Sequence, residues 1–247
     1  MKIATGVEML EIPATIQGSQ TFIYPTLIWD NKTMILVDAG FPGQLAAFKQ
    51  AIMEGGAFFE RIDKIIITHH DRDHIGSLRS ILNELPQKAL VLTHEGERPY
   101  IEGRIPPFKA TMADAPDSPY PPEMKALFQQ QKLDYLDFTV GVDKILEDGE
   151  ELPFCGGITV IHTPGHTPGH ICLYIGQSKT LIAGDALFVI EGDKLGPPPK
   201  LASLDWPLAV RSLGKLVRYD VETVVCYHGG AWRGNFSRSI AELAGLQ

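Results

Sequence analysis

Apolar and polar residues alternate along Val7–Ile12, a β-rich stretch follows at Thr21–Trp29, and after an Asp30-Asn31 turn comes a third run, Thr33–Val37. Alternation with period two predicts strands with one buried face. The run ends at Asp38-Ala39-Gly40. Helical spacing then extends from Gln44 to about Met53, a continuous apolar strand spans Lys64–Thr68, a helix is expected from about Ile75 to Leu85, and a strand covers Ala89–Thr93. Between about Glu95 and Gly141 the periodicity dissolves among seven prolines, Pro99, Pro106, Pro107, Pro116, Pro119, Pro121 and Pro122, with only Glu123–Lys132 reading as helix. A long irregular stretch in a compact domain is commonly functional, so residues 95–141 are a candidate lid insertion. Strands return at Lys144–Leu146, Ile158–His162, Ile171–Ile175 and Thr180–Ala183, followed by a second loop, Glu191–Ser203. A helix at about Pro207–Arg218, a buried strand Thr223–Cys226 and a helix from about Ser237 complete the chain. Two strand-then-helix halves predict two sheets packed together with helices outside.

At 247 residues and 44% hydrophobic content the chain can bury one good core, and a single domain over 1–247 is expected. Lys+Arg of 22 against Asp+Glu of 30 gives a net charge of -8, which leaves no broad cationic surface for a nucleic-acid backbone. Arg211, Lys215 and Arg218 read as an ordinary solvated helix face. The start, MKIATGVEML, lacks the apolar core of a signal peptide, and no later apolar run reaches the roughly 18 residues of a membrane span. A cytoplasmic protein without a membrane partner is therefore expected. Cys155, Cys172 and Cys226 are widely separated and lack CxxC spacing, so they read as free thiols.

The chemistry is concentrated in Thr68-His69-His70-Asp71-Arg72-Asp73-His74-Ile75-Gly76, between the apolar strand and the following helix. A strand-to-helix loop can turn side chains two, four and five positions apart toward one point. Three further clusters lie at predicted strand ends: Pro164-Gly165-His166-Thr167-Pro168-Gly169-His170, Gly184-Asp185 and His228-Gly229-Gly230. A lone histidine in such a place is more often a core residue. Four loops that each offer His or Asp, with glycines that let backbone approach closely, point to metal.

This order of elements and motifs resembles the metallo-β-lactamase superfamily from about Val7 to His228. The family motif is His-x-His-x-Asp-His, then a later His, a bridging Asp and a final His. By position, the resemblance implies one metal held by His69, Asp71 and His166, a second held by Asp73, His74 and His228, and Asp185 between them. It also implies a four-layer αββα sandwich of two mixed sheets, with the metals at the sheet edges. Two divalent ions per chain are expected, zinc first, with manganese or iron as alternatives.

One position departs from the pattern. Asp71 stands where the motif has its second His, with His70 beside it. A carboxylate can ligate through oxygen, as in flavodiiron members of the superfamily, and neighbours in an extended segment point opposite ways, which argues against His70 taking the place. By formal counting, two divalent ions, a hydroxide, Asp73 and Asp185 leave one positive charge, and Asp71 brings the site to zero. Such a site attracts an anion less, and its hard ligand tolerates manganese or iron better. Asp38 either braces a metal-site loop, as the resemblance implies, or caps the following helix. His94, His162 and His170 are expected to pack or hydrogen-bond rather than ligate.

The activity implied is hydrolysis, in which a hydroxide shared by two metals attacks the carbonyl carbon of an ester, thioester or lactone and Asp73, the candidate catalytic residue, relays a proton to the leaving group. A small molecule is the expected partner, and a homodimer the candidate assembly. Asp185 stands where zinc β-lactamases with a cysteine ligand carry that Cys, and the short segment after His228 leaves little room for the helical domain with which glyoxalase II relatives hold glutathione. Three rivals remain. A phosphodiesterase suits two-metal chemistry but not the acidic balance; a di-iron redox protein suits Asp71 but lacks a flavodoxin domain; a non-catalytic metal binder leaves Asp73 unexplained. Tyr100, Phe108, Tyr120, Phe188 and Trp206 either wall the substrate or pin the proline-rich loops.

Overall fold

The computed structural model describes residues 1–16 and 18–245. Its centre is two β-sheets. The seven-stranded sheet runs in the order Lys2–Ala4, Val7–Met9, Thr26–Trp29, Met34–Val37, Lys64–Ile66, Leu90–His94, Lys144–Leu146. The six-stranded sheet runs Glu151–Leu152, Ile158–His162, Ile171–Ile175, Thr180–Gly184, Thr223–Cys226, Gly230–Trp232. Both are mixed. Pairing in the first turns parallel from Met34–Val37 onward, and in the second only Thr180–Gly184 and Thr223–Cys226 run parallel. Parallel neighbours need crossover connections, supplied here by the helices Leu45–Glu54, Leu78–Glu84 and Trp206–Ser212 and, between Leu90–His94 and Lys144–Leu146, by the long segment 95–143. Apart from the hairpin Ile12–Ile16/Ser19–Ile23, which belongs to neither sheet, every strand up to Leu146 lies in the first sheet and the second sheet begins at Glu151, so the chain passes from one to the other once.

Strand alternation assigns each apolar residue to a layer. Val7, Ile28, Ile35, Val37, Ile66 and Leu92 face Val160, Ile171, Leu173 and Ile182 across the two sheets. Their neighbours Leu27, Leu36, Ile65 and Val91 point the other way, under Phe48, Ile52, Leu78 and Ile81 of the outer helices. On the opposite side Ile161, Cys172, Leu181 and Val224 are covered by Leu213, Leu216, Phe236 and Ile240. The result is the expected αββα sandwich. The cysteines are free, with Cys172 and Cys226 buried and Cys155 half-buried.

Several elements differ from expectation. The predicted strand Val7–Ile12 divides into Val7–Met9 and Ile12–Ile16, and Thr21–Trp29 into Ser19–Ile23 and Thr26–Trp29. The two breaks face each other, Leu10 N–H donating to the Pro25 carbonyl at 2.8 Å, and Pro25 has no N–H with which to continue the ladder. The Ile12–Ile16/Ser19–Ile23 hairpin thereby leaves the sheet and reaches the other half, where Ile23 bridges His228. The helix expected from Ile75 is two, Arg72–Ile75 and Leu78–Glu84, because the Gly76 and Ser77 amides bond to Gly40 and Ala39 carbonyls instead. Residues 95–141 are not irregular: they contain the helices Arg98–Ile101, Phe108–Asp114 and Pro122–Asp134. Pro99, Pro107 and Pro122 lie at or just before the first turns of these helices, where a missing N–H is tolerated. Ala113, Tyr120 and Phe128 give this insertion its own small core. The loop Glu191–Ser203 holds the strand Lys194–Gly196, paired with Phe188–Ile190. Among the described residues no helix is long and apolar enough to cross a membrane.

Candidate metal centre

All seven candidate ligands lie at strand ends on one edge of the sandwich, and the structure brings them together in two adjoining groups. His69, Asp71, His166 and Asp185 form one, and Asp73, His74 and His228 the other, with the ligand-capable atoms of each group within 4.8 Å of one another. Asp185 lies between the groups. Its Oδ2 is 3.5 Å from both His166 Nε2 and His228 Nε2, and its Oδ1 is 3.3 Å from His74 Nε2. Asp71 Oδ2 approaches His69 Nε2 at 3.3 Å and His166 Nε2 at 3.1 Å, while Asp73 Oδ2 is 3.1 Å from His228 Nε2.

The far sides of the rings are fixed by the surrounding chain. His74 Nδ1–H donates to Asp38 Oδ2 at 2.9 Å, and the same carboxylate accepts from the Thr68 amide and hydroxyl, each at 2.8 Å. Since that hydroxyl donates to Asp38, it accepts from His69 Nδ1 at 3.0 Å. Both rings therefore carry the proton on Nδ1 and turn Nε2 inward, the tautomer a metal ligand needs. Asp38 braces the motif loop, as one of its two sequence readings holds, and does not cap the helix. It adopts a positive φ of 65°, which Asp tolerates better than most residues.

His70 turns away, as its place in an extended segment implies. Its backbone N–H and Nδ1 both bond to Glu97, a fully buried carboxylate that also accepts from Thr167 Oγ1 at 2.7 Å. Its ring stacks on Tyr100 with centroids 3.9 Å apart. His170 Nε2 accepts from the Asp185 amide at 3.0 Å, and its Nδ1 meets Thr163 Oγ1 at 2.8 Å. Gly184 permits this: a Cβ there would lie 2.8 Å from His170 Nε2. His94 and His162 stack on each other at 3.9 Å. These three join neither group of ligands. Of the aromatics, Tyr100 and Phe108 flank His70 and Phe188 stacks on His228, whereas Tyr120 packs on Phe128 inside the lid and Trp206 donates to the Pro198 carbonyl.

Charge in the cluster is mutually compensated. Burial works against ionisation, yet His228 and His74 hold the Asp185 carboxyl well below the usual range. Burial likewise opposes protonation of His228, but Asp185 and Asp73 push it up to about 10. His170, with burial and the neighbouring His166 both acting against its charge, falls to about 3 and stays neutral. Asp71 is held well below its ordinary value against its burial, chiefly by Lys109, whose Nζ donates directly to Asp71 Oδ2 from the lid helix Phe108–Asp114.

Sequence reasoning missed Lys109, Glu97 and Tyr227. Tyr227 packs on the His74 ring with centroids 3.7 Å apart and donates through its hydroxyl to the Asp73 carbonyl. It follows directly on the strand Thr223–Cys226 and precedes the candidate ligand His228, a placement that could have marked it. Lys109 and Glu97 carry no such signal.

Known proteins resemble this chain in sequence and in fold. Residues 19–228 match the family model of the metallo-beta-lactamase superfamily. A probable metallo-hydrolase of Bacillus subtilis, YflN, is 32% identical over 230 residues, covering 86% of this chain and 81% of its own length. A hydroxyacylglutathione hydrolase of Synechococcus is 28% identical over 183 residues, which span 74% of this chain but 54% of that protein. Among solved structures, a metallo-beta-lactamase from Pontibacter korlensis aligns with a TM-score of 0.67 at 18% identity, over 100% of this chain and 98% of that one. A metallo-beta-lactamase family protein from Thermus thermophilus also gives 0.67, at 21% identity, over 99% and 80%. The chain is a metallo-hydrolase that belongs to the metallo-beta-lactamase superfamily.

Proposed function

We propose that the chain hydrolyses an ester, thioester or lactone of a small molecule at a two-metal centre, with His69, Asp71 and His166 holding one ion, Asp73, His74 and His228 the other, and Asp185 serving both. The observation that carries this reading is a set of orphaned polar atoms: His69 Nε2, His74 Nε2 and Asp185 Oδ1 are buried without a hydrogen-bond partner, and all belong to the two ligand groups. Leaving such an atom unsatisfied costs about 1–3 kcal/mol, so three in one place argue for a cation that uses them. Nitrogen and carboxylate donors together suit zinc first and accommodate manganese or iron.

Ions held there would lower the pKa of water and polarise a carbonyl. The protein's own part is to position and to move protons. Asp38 and Thr68 lock the rings of His74 and His69, and His170 fixes the backbone that carries Asp185. Asp73 has the most exposed carboxylate of the three, at 18% against 11% for Asp71 and 6% for Asp185. That exposure suits it to take up a proton and pass it to the departing alkoxide or thiolate. Phe188, stacked on His228, supplies an apolar surface beside the cluster. A phosphodiester is the second reading, favoured by Lys109, whose charge offsets Asp71. A cytoplasmic location belongs to the same proposal.

Metal analysis of the purified parent and of Asp71→Ala, with an ester, lactone, thioester and phosphodiester panel on the same samples, tests the reading. Two ions falling to about one in the variant, with carbonyl-ester or lactone turnover lost, is the expected result. One ion in both would remove Asp71 as a ligand, and two irons without hydrolysis would move the assignment to redox chemistry.

A further inference from the structure

The motif departs from its family at Asp71, and the lid brings a cation to that same residue. Lys109 is 8% exposed, and among the described residues Asp71 is its one ion-pair partner. The oxygen it takes, Asp71 Oδ2, is the one that also faces His69 Nε2 at 3.3 Å and His166 Nε2 at 3.1 Å, so the ammonium sits on the candidate ligating atom itself. The helix that carries it is fixed from both ends: Phe108 sets its ring against His70 at 5.6 Å, and Ala113 packs with Tyr120 and Phe128. Beside the pair, His70, Tyr100, Gln131 and Tyr135 help enclose a cavity of about 20 Å³, room for a single water. A buried ammonium without a counter-charge is strongly unfavourable, so the position of Lys109 makes sense only with Asp71 ionised.

We propose that Lys109 is a positioning residue that sets the charge of the first metal position: its ammonium neutralises Asp71, so the Asp71–Lys109 pair carries the net charge of the neutral histidine that the family motif has there. The inference rests on the metal-site reading above and is independent of the substrate. It revises the formal count, because the charge that Asp71 removes is returned from 38 residues away. It also makes the first position the weaker of the two for a divalent ion, since a fixed cation on its carboxylate oxygen repels the incoming one and competes for the same atom.

Zinc titration of the metal-free protein by calorimetry, with bound metal counted independently, tests this without reference to turnover. In Lys109→Met the dissociation constant of the first position should fall about tenfold while that of the second stays put. Lys109→Arg keeps the charge on a different shape and should stay within about threefold of the parent, an outcome that a purely space-filling role would not give. Asp71→His alone sets a cation beside a neutral imidazole and should lose one equivalent of zinc, a result that stands even if Lys109→Met folds poorly, and Asp71→His/Lys109→Met should regain it. Unchanged constants in Lys109→Met, or equal stoichiometry in Asp71→His with and without Lys109, overturn the assignment. A parent that takes up two ions while these variants show no coupling sinks only the role of Lys109; a parent that binds none sinks the metal centre as well.

Discussion

Asp38 satisfies three donors with one carboxylate, and two of them belong to Thr68, the residue just before the motif histidines. In Asp38→Asn the amide nitrogen must face at least one of those donors, so a bond is lost and a repulsive contact takes its place. We expect the metal-free variant to lose about 1–3 kcal/mol of stability in urea denaturation and the second metal position to weaken, because the His74 ring is no longer held. An unchanged midpoint would show that another group takes over. At this scale the candidate ligands could be picked out in the sequence because they sit in short motifs that follow strands, and the outward turn of His70 follows from backbone alternation. Lys109 and Glu97 were not legible: their partners Asp71 and His70 lie 38 and 27 residues away, and nothing local distinguishes a buried ion pair from a solvated charge.

Among the elements, the loop that carries His166 depends on one close approach. A Cβ on Gly165 would lie 2.1 Å from the Ala209 backbone nitrogen, and the residue has a φ of 128°, so the helix Trp206–Ser212 presses directly on this loop. Gly165→Ala should cost roughly 3 kcal/mol or more by chemical denaturation, and the first metal position should empty before the second, since His166 moves with its neighbour. Full retention of both ions would mean that the helix, not the loop, gives way. The strands and the outer helices were readable from periodicity because each has one face in the core. The breaks at Leu10-Glu11 and Tyr24-Pro25 were read through, because the alternation of apolar and polar residues continues past Glu11, although Pro25, which has no N–H for the ladder, was a signal of the second. Of the helices between 95 and 141, Glu123–Lys132 was readable and is observed as Pro122–Asp134, whereas Arg98–Ile101 and Phe108–Asp114 were hidden, because a proline that ends one helix and a proline that begins one look alike in sequence.

At the scale of the whole molecule, His69, Asp71, Asp73 and His74 follow a strand of the seven-stranded sheet, whereas His166, Asp185 and His228 follow strands of the six-stranded one. Ions held there, as proposed, would tie the two sheets together. At a free ion concentration a thousandfold above the dissociation constant, each would add about 4 kcal/mol. Stripping them with a chelator should therefore lower Tm by roughly 8–16 °C per site, by the usual proportion for a chain of this size. A melting curve indifferent to chelator and to added zinc would contradict the centre as drawn. The αββα arrangement was expected from the order of elements, and the interleaving of Leu27 with Ile28 and of Ile35 with Leu36 between layers shows why: period-two strands between two helical layers admit few other ways to cover both faces.

The single passage of the chain from one sheet to the other, across residues 147–150, means that the molecule is two half-proteins sharing an interior and joined by one short tether. Four of the seven candidate ligands belong to the first half and three to the second, so neither fragment owns a complete centre. Cut at Glu147-Asp148 and produced as two chains, the halves become a complementation pair in which metal uptake reports reassembly.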